Sequence, residues 1–232
     1  MSRAQLPLAL KPPRRPRFDN FVVGPNQPVV ATLSQGVEPG GWYFLAGPAG
    51  SGRSHLVSAF FADRCRRGES AHFIALGKPE QRRLLEHADG DWVVIDDVDL
   101  LAGDEAGEMA LFNALNRWRA GHAGVVMSGA GRDDFELPDL RSRLGQATRL
   151  TLRPLEEAEL AELVRSLAAE HEVLLGRGAV DYILSRAPRN AARIAELVVA
   201  GAHRALTERR TLSLPLVREV LSGVSTRGGE DT

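Results

Sequence analysis

The sequence predicts an α/β fold, a parallel three-layer sheet followed by a small all-α domain. Three observations predict it. Short apolar runs alternate with helical patterns from Phe18 to about Arg153. A glycine-rich loop, GPAGSGRS (47–54), joins the first run to the first helix. Beyond Pro154, apolar residues recur only at helical spacing. Alternation of strand and helix implies parallel strands with helices packed on the sheet.

The runs are WYFLA (42–46), HFIAL (72–76), WVVID (92–96), GVVMS (124–128) and RLTL (149–152). They are continuous, as expected of strands covered on both faces. Helices fit between them at 53–66, about 78–88 and 106–120. In the second part, Leu160, Leu163, Val164 and Leu167 form one stripe, and Ile194, Leu197, Val198 and Gly201 another. Leu214, Val217, Val220 and Leu221 form a third, with a shorter one at Val180, Ile183 and Leu184. The predicted domains are therefore 18–153 (α/β) and 154–223 (helical). Residues 1–17 read as an extended tail, because Pro7, Pro12, Pro13 and Pro16 bar a stable helix. Residues 224–232 read as disordered.

Composition narrows the function. A net charge of -1 gives no overall electrostatic footprint for nucleic acid. Cys65 is the one cysteine, which rules out disulfides within the chain and cysteine-based metal sites. No run is apolar enough to span a bilayer and no signal core begins the chain, so a cytoplasmic protein is expected, with no membrane partner.

The loop at 47–54 carries the chemistry. Glycines at 47, 50 and 52 let the backbone turn sharply and approach phosphate oxygens. Successive N–H groups and a helix N-terminus then face the anion. Ser54 is placed to ligate Mg²⁺ carried by a nucleotide. The strict pattern ends in Gly-Lys-Ser/Thr, whereas Arg53 stands here in place of lysine. Arginine keeps the charge but not the geometry, since its head is a planar fork and not a point charge. Phosphate binding should survive and phosphoryl transfer should suffer. Only Lys11 and Lys78 are lysines, so compositional drift is a second account of Arg53.

WVVIDDVD places Asp96 and Asp97 at the end of a buried strand, facing the loop. Asp96 suits an acid that holds Mg²⁺ through water, and Asp97 stands where a base for attacking water would be. Asp99 reads as a helix cap or a solvated turn. Ser128 ends the GVVMS strand, and two readings fit it: orienting water or a γ-phosphate, or capping the next turn. Arg141 and Arg143 fall on a short helix after Pro138, as surface cations or as an arginine finger for a neighbouring subunit. Arg193 lies in the first turn of a helix that starts at Asn190, where a cation opposes the helix dipole. It reads as a contact to outer phosphates or as a surface ion pair.

Taken together, these motifs resemble an AAA+ ATPase. Within that class, FDNFVVGPNQPVVATL (18–33), RSHL with His55 behind the glycines, IDDVDLLAGDEAGEMALFNALNR, LPDLRSRL and TLSLPLVREVL resemble the Hda family. Those proteins are paralogues of the replication initiator DnaA and inactivate it. The resemblance implies that Gly47, Gly50, Ser51, Gly52, Arg53, Ser54, His55, Asp96, Ser128 and Arg193 bind ADP or ATP with Mg²⁺. It implies that Arg143 is an arginine finger and Arg193 the sensor 2 arginine. Ala130 departs from the Asp that the family can carry.

Gln5, Leu6, Leu8 and Leu10 resemble the family's sliding-clamp-binding peptide, with Ala9 in place of the usual proline. Lys11, Arg14, Arg15 and Arg17 behind it read as contacts to DNA threaded through the clamp or as a solvated charge run. The implied partners are DnaA, the polymerase sliding clamp, DNA indirectly through that clamp, and other copies of the chain. Nucleoid or replisome association follows. No helix-turn-helix pattern follows the helical domain, and 77–91 is short for an additional single-strand-binding helix, so sequence-specific DNA reading is not expected. Two other functions stay open: an ATPase acting directly on DNA or loading a helicase, and a non-catalytic clamp adaptor.

Overall fold

A computed structural model describes residues 15–131 and 134–225. The chain divides into two compact units, one spanning Pro16–Pro154 and the other lying beyond Pro154. No described helix is long and apolar enough to cross a membrane.

In the first unit, five strands form one parallel sheet. They are β1 (Trp42–Ala46), β2 (Ala71–Ala75), β3 (Trp92–Asp96), β4 (Gly124–Gly129) and β5 (Thr148–Thr151), in the order β2-β3-β4-β1-β5. The helices are α1 (Gln27–Gln35), α2 (Arg53–Arg66), α3 (Leu84–His87), α4 (Glu105–Ala120) and α5 (Pro138–Leu144). Successive strand residues point to opposite faces. Trp42, Phe44, Val93 and Ile95 thus enter one core, with Leu111, Leu115 and Trp118 of α4. Tyr43, Leu45, Trp92 and Val94 enter the other, with Leu33 of α1 and Leu56 and Phe60 of α2. This two-sided burial explains why the central strands read as unbroken apolar runs.

Three sequence expectations change. Burial on both faces holds for the inner strands only, because the edge strand β2 is only partly buried and β5 is largely accessible. The helix expected at 78–88 is broken into a 3₁₀ turn at Pro79–Gln81 and the short α3. There the Gln81 carboxamide accepts the Ala75 N–H at 2.8 Å, and Arg82 Nε donates to the Leu76 carbonyl. These tertiary bonds compete with the helical ladder. Finally, α1 forms where no helix was predicted, with Pro28 in its first turn, where proline's missing N–H costs nothing.

Asn26 fixes the segment before α1. It is 1% exposed, and its side chain bonds both backbone groups of Arg153, donating to the carbonyl at 3.0 Å and accepting the N–H at 2.7 Å. Asn26→Ala leaves both groups without partners. A stability loss of about 2 kcal/mol is expected in urea unfolding. An unchanged midpoint would show that solvent replaces the clamp.

The second unit is all-helical: α6 (Glu157–Glu170), α7 (Ala179–Arg186), α8 (Ala191–Glu208) and α9 (Leu214–Ser225). Its own core contains Leu160, Val164, Ile194, Val198, Leu216 and Val217. Gly201 lets Leu212 approach α8, since a Cβ at that position would lie 2.7 Å from its Cδ1.

Candidate nucleotide site

The 47–54 loop leaves the buried end of β1 and opens α2, which starts at Arg53. Gly50 and Gly52 have φ of 78° and 95°, a conformation that glycine adopts without strain. Gly52 also lies against Phe21, because a Cβ there would sit 2.6 Å from the ring. Phe21 in turn packs on His55, whose ring is hydrogen-bonded with the Arg17 carbonyl at 3.0 Å. His55 thereby ties the 17–21 segment to the loop. At the loop's start, a Cβ on Gly47 would meet Ser51 Oγ at 2.6 Å. Ser51 Oγ is buried without a hydrogen-bond partner, so the loop carries an orphaned donor that a phosphate oxygen would satisfy. Ser54 is exposed in the first turn of α2.

Arg53 turns inward. Its Nη1 donates to the Gly47 carbonyl at 2.9 Å and its Nη2 to Asp97 Oδ1 at 3.0 Å, and Nη1 lies 3.9 Å from Asp99 Oδ2. The side chain is 13% exposed. The planar fork is thus spread between the loop and the acidic turn, a geometry that a lysine ammonium cannot copy.

The acidic turn is organised by Ser128. This residue is fully buried, and its hydroxyl donates to Asp96 Oδ1 at 2.5 Å and accepts the Asp97 N–H at 2.9 Å. The hydroxyl thus bonds across to the turn after β3, beside the loop, and not to the turn that follows Ser128 itself. Asp99 departs from its reading as a plain cap or solvated residue. It accepts the Ala130 N–H, and its other oxygen, Oδ1, is buried against Gly129. A third carboxylate therefore belongs to the site. The DDVD spacing was its one signal, and it became readable only once Asp97 turned left-handed, at φ 59° and ψ 57°.

Burial is the main influence that pushes the Asp97 carboxyl above its ordinary 3.8. Repulsion by Asp96 and Asp99 adds to it, and the Arg53 guanidinium opposes it. A native carboxyl with a raised pKa contributes stability below about pH 3.8, which is lost as pH rises through the raised value. Asp97→Asn removes that loss, still accepts from Arg53, and suits the left-handed conformation better than most residues. Its melting temperature is expected to exceed wild type at pH 7, with the gap closing toward pH 4. A gap that widens on acidification would contradict this account.

Arg143 lies in the last turn of α5. Among the described residues its side chain makes no hydrogen bond or ion pair. Arg141, on the same helix, acts electrostatically on Glu108. In the second unit, Asn190 caps α8 by accepting the Arg193 N–H at 3.1 Å, and Arg193 pairs with Glu196 at 2.7 Å. The clamp-motif residues Gln5, Leu6, Leu8 and Leu10 lie outside the described residues. The structure thus gathers Gly47, Arg53, Asp96, Asp97, Asp99 and Ser128 into one cluster. Among the described residues, no group of three or more His, Cys, Asp and Glu is arranged to hold a metal ion.

A parallel sheet in the order β2-β3-β4-β1-β5, with a phosphate-type loop after β1 and acids after β3, decides the fold. It is the AAA+ P-loop ATPase fold. Domain III of the Thermotoga maritima replication initiation protein DnaA shares it with a TM-score of 0.75 at 20% identity, covering 89% of this chain and 95% of that one. AMPPCP-bound DnaA from Aquifex aeolicus gives 0.65 at 20% identity, covering 80% of this chain and 64% of that one. The Thermotoga maritima RuvB Holliday junction branch migration motor gives 0.59 at 20% identity, covering 83% and 64%. This chain thus spans somewhat under two thirds of those last two proteins. No protein-family model matches the sequence.

Proposed function

We propose that this chain is a regulatory AAA+ protein of the Hda type, which holds ADP and donates Arg143 to ATP bound on a DnaA subunit. Hydrolysis of that ATP would switch the initiator off. The observation that carries this reading is the contrast between two arginines. Arg53 is tied inward to Gly47 and to the carboxylate in the base position. Arg143 has no hydrogen bond or ion pair among the described residues. A loop arranged in this way is suited to retaining a nucleotide more than to cleaving one.

The N–H groups of 50–54 and Ser51 Oγ would cradle the phosphates, and Ser54 and Asp96 would hold Mg²⁺, through water at Asp96. The ion supplies charge neutralisation at the phosphates when bound. The family resemblance gives Arg193 the sensor 2 role, and within its own unit the side chain pairs with Glu196. Likeness to AMPPCP-bound DnaA supports nucleotide binding here. Gln5, Leu6, Leu8 and Leu10 would dock the tail in an apolar groove of the sliding clamp, with Lys11, Arg14, Arg15 and Arg17 beside its DNA.

The test is hydrolysis of DnaA-bound ATP in the presence of clamp loaded on DNA. Wild type is expected to stimulate it, Gln5→Ala to do so weakly and Arg143→Ala about a thousandfold less. Equal stimulation by all three would end the reading. The likeness to RuvB favours a second one, a motor that turns over its own ATP. Steady ATP turnover by the protein alone, without DnaA, would select it. The Arg53–Asp97 pair argues against that result, because it occupies the carboxylate that turnover would need.

A further inference from the structure

Glu108 plays no part in the nucleotide cluster, yet it is more deeply buried than any other described acid, 1% exposed against 7% for Asp63. It lies in the first turn of α4. Its Oε1 accepts the N–H of Gly103 at 2.9 Å and that of Glu136 at 2.9 Å, and its Oε2 accepts the N–H of Leu137 at 2.7 Å. Burial alone would push its carboxyl up. The three N–H donors, with Arg141 nearby, hold it below its ordinary 4.5, so the group is ionised at neutral pH. A buried charge is tolerated only where such donors compensate it.

Two of those donors stand at the start of the arginine-bearing helix. Leu137 is the N-cap residue of α5 and offers no side-chain cap. A seven-residue helix has no stability of its own and takes its position from outside contacts. Leu140 supplies one through burial. Glu108 supplies the polar one. Asp99 holds the Ala130 N–H at the other end of the connection from β4. The stretch from β4 to α5 is therefore fastened at both ends by carboxylates that follow β3.

We infer that Glu108 is the positioning residue for Arg143: by fixing the Glu136 and Leu137 amides it sets where α5 begins and so where the guanidinium is presented. The inference rests on the reading of Arg143 as an arginine donated to a partner's ATP. Loss of the anchor would displace the arginine without touching nucleotide binding. Displacement on the order of 1 Å is enough to cost about a hundredfold in rate.

The test uses the full chain carrying Glu108→Gln, which keeps one acceptor and turns an amide toward the remaining N–H. Glu108→Asp, one methylene shorter and still charged, serves if the first variant does not fold. Two measurements are made. Hydrogen exchange is expected to quicken for amides 136–144 while β1 and α2 keep their protection. Stimulated hydrolysis of DnaA-bound ATP is expected to fall about tenfold or more in turnover, at an unchanged half-saturating concentration. In an Arg143→Ala background the added substitution is expected to cost nothing further, because the two residues act as one unit. Unchanged protection at 136–144, undiminished turnover or additive losses would each overturn the inference. If Arg143→Ala alone stimulates fully, the partner-ATP reading fails by itself. Exchange at 136–144 then decides whether Glu108 still anchors α5.

Discussion

Arg143→Ala is expected to lower stimulated hydrolysis of DnaA-bound ATP by about a thousandfold, the low end of what an arginine finger contributes. The expectation comes from what the side chain does not do at home. Arg53 is bound to Asp97, Arg82 to Asp104 and Arg149 to the Gly131 carbonyl. Arg143 has no such engagement among the described residues. Removing it therefore leaves no internal group unpaired, and the melting temperature and ADP affinity should match wild type. Arg143→Lys separates charge from shape. The fork can bridge two phosphate oxygens and an ammonium cannot, so lysine should recover only a small part of the rate. Full recovery by lysine would reduce the role to a diffuse positive charge.

Gly52→Val is expected to weaken ADP binding about a hundredfold. Two costs coincide at this position. The φ of 95° is strained for any side chain, and the new Cβ would lie 2.6 Å from Phe21. Strain of this kind is worth about 1–3 kcal/mol, and each 1.4 kcal/mol is tenfold in affinity. Gly68→Val is the control. It has a φ of 82° but nothing within 4 Å of its Cβ, and it lies past the end of α2, away from the loop. It should lose stability yet bind ADP normally in titration calorimetry. If Gly52→Val also binds normally, the Phe21 wall is not part of the nucleotide site.

The sequence announced what is local in the chain. The loop, the strand before it and α2 at 53–66 were legible because glycine spacing and apolar periodicity act over neighbouring residues. The inward turn of Arg53 was not, since its partner Asp97 is far along the chain and depends on how β1 and β3 are ordered. Asn26 and Glu108 were invisible for the same reason: each bonds backbone amides of a remote segment, and a backbone amide leaves no mark on composition. The helix expected at 78–88 failed because a single glutamine found a better acceptor role at β2. Ser128 stood at a recognisable strand end and Asp99 in the turn after another, but their hydrogen bonds run toward each other's turns, which only the register of β3 beside β4 determines.

The strand order has a consequence for how the protein is made. The phosphate loop hangs from β1, and β1 finds its neighbours late, since Trp42 pairs with Val125 and Tyr43 with Thr148. As the chain leaves the ribosome, β1 emerges early and must wait through the synthesis of α2, β2, β3 and α4 before either flank exists. Pairings so distant in sequence are slow to form and leave apolar surface exposed meanwhile. The ligand-holding loop is thus among the last parts of the unit to mature. A nucleotide captured there would act late in folding, sealing a sheet that is otherwise complete.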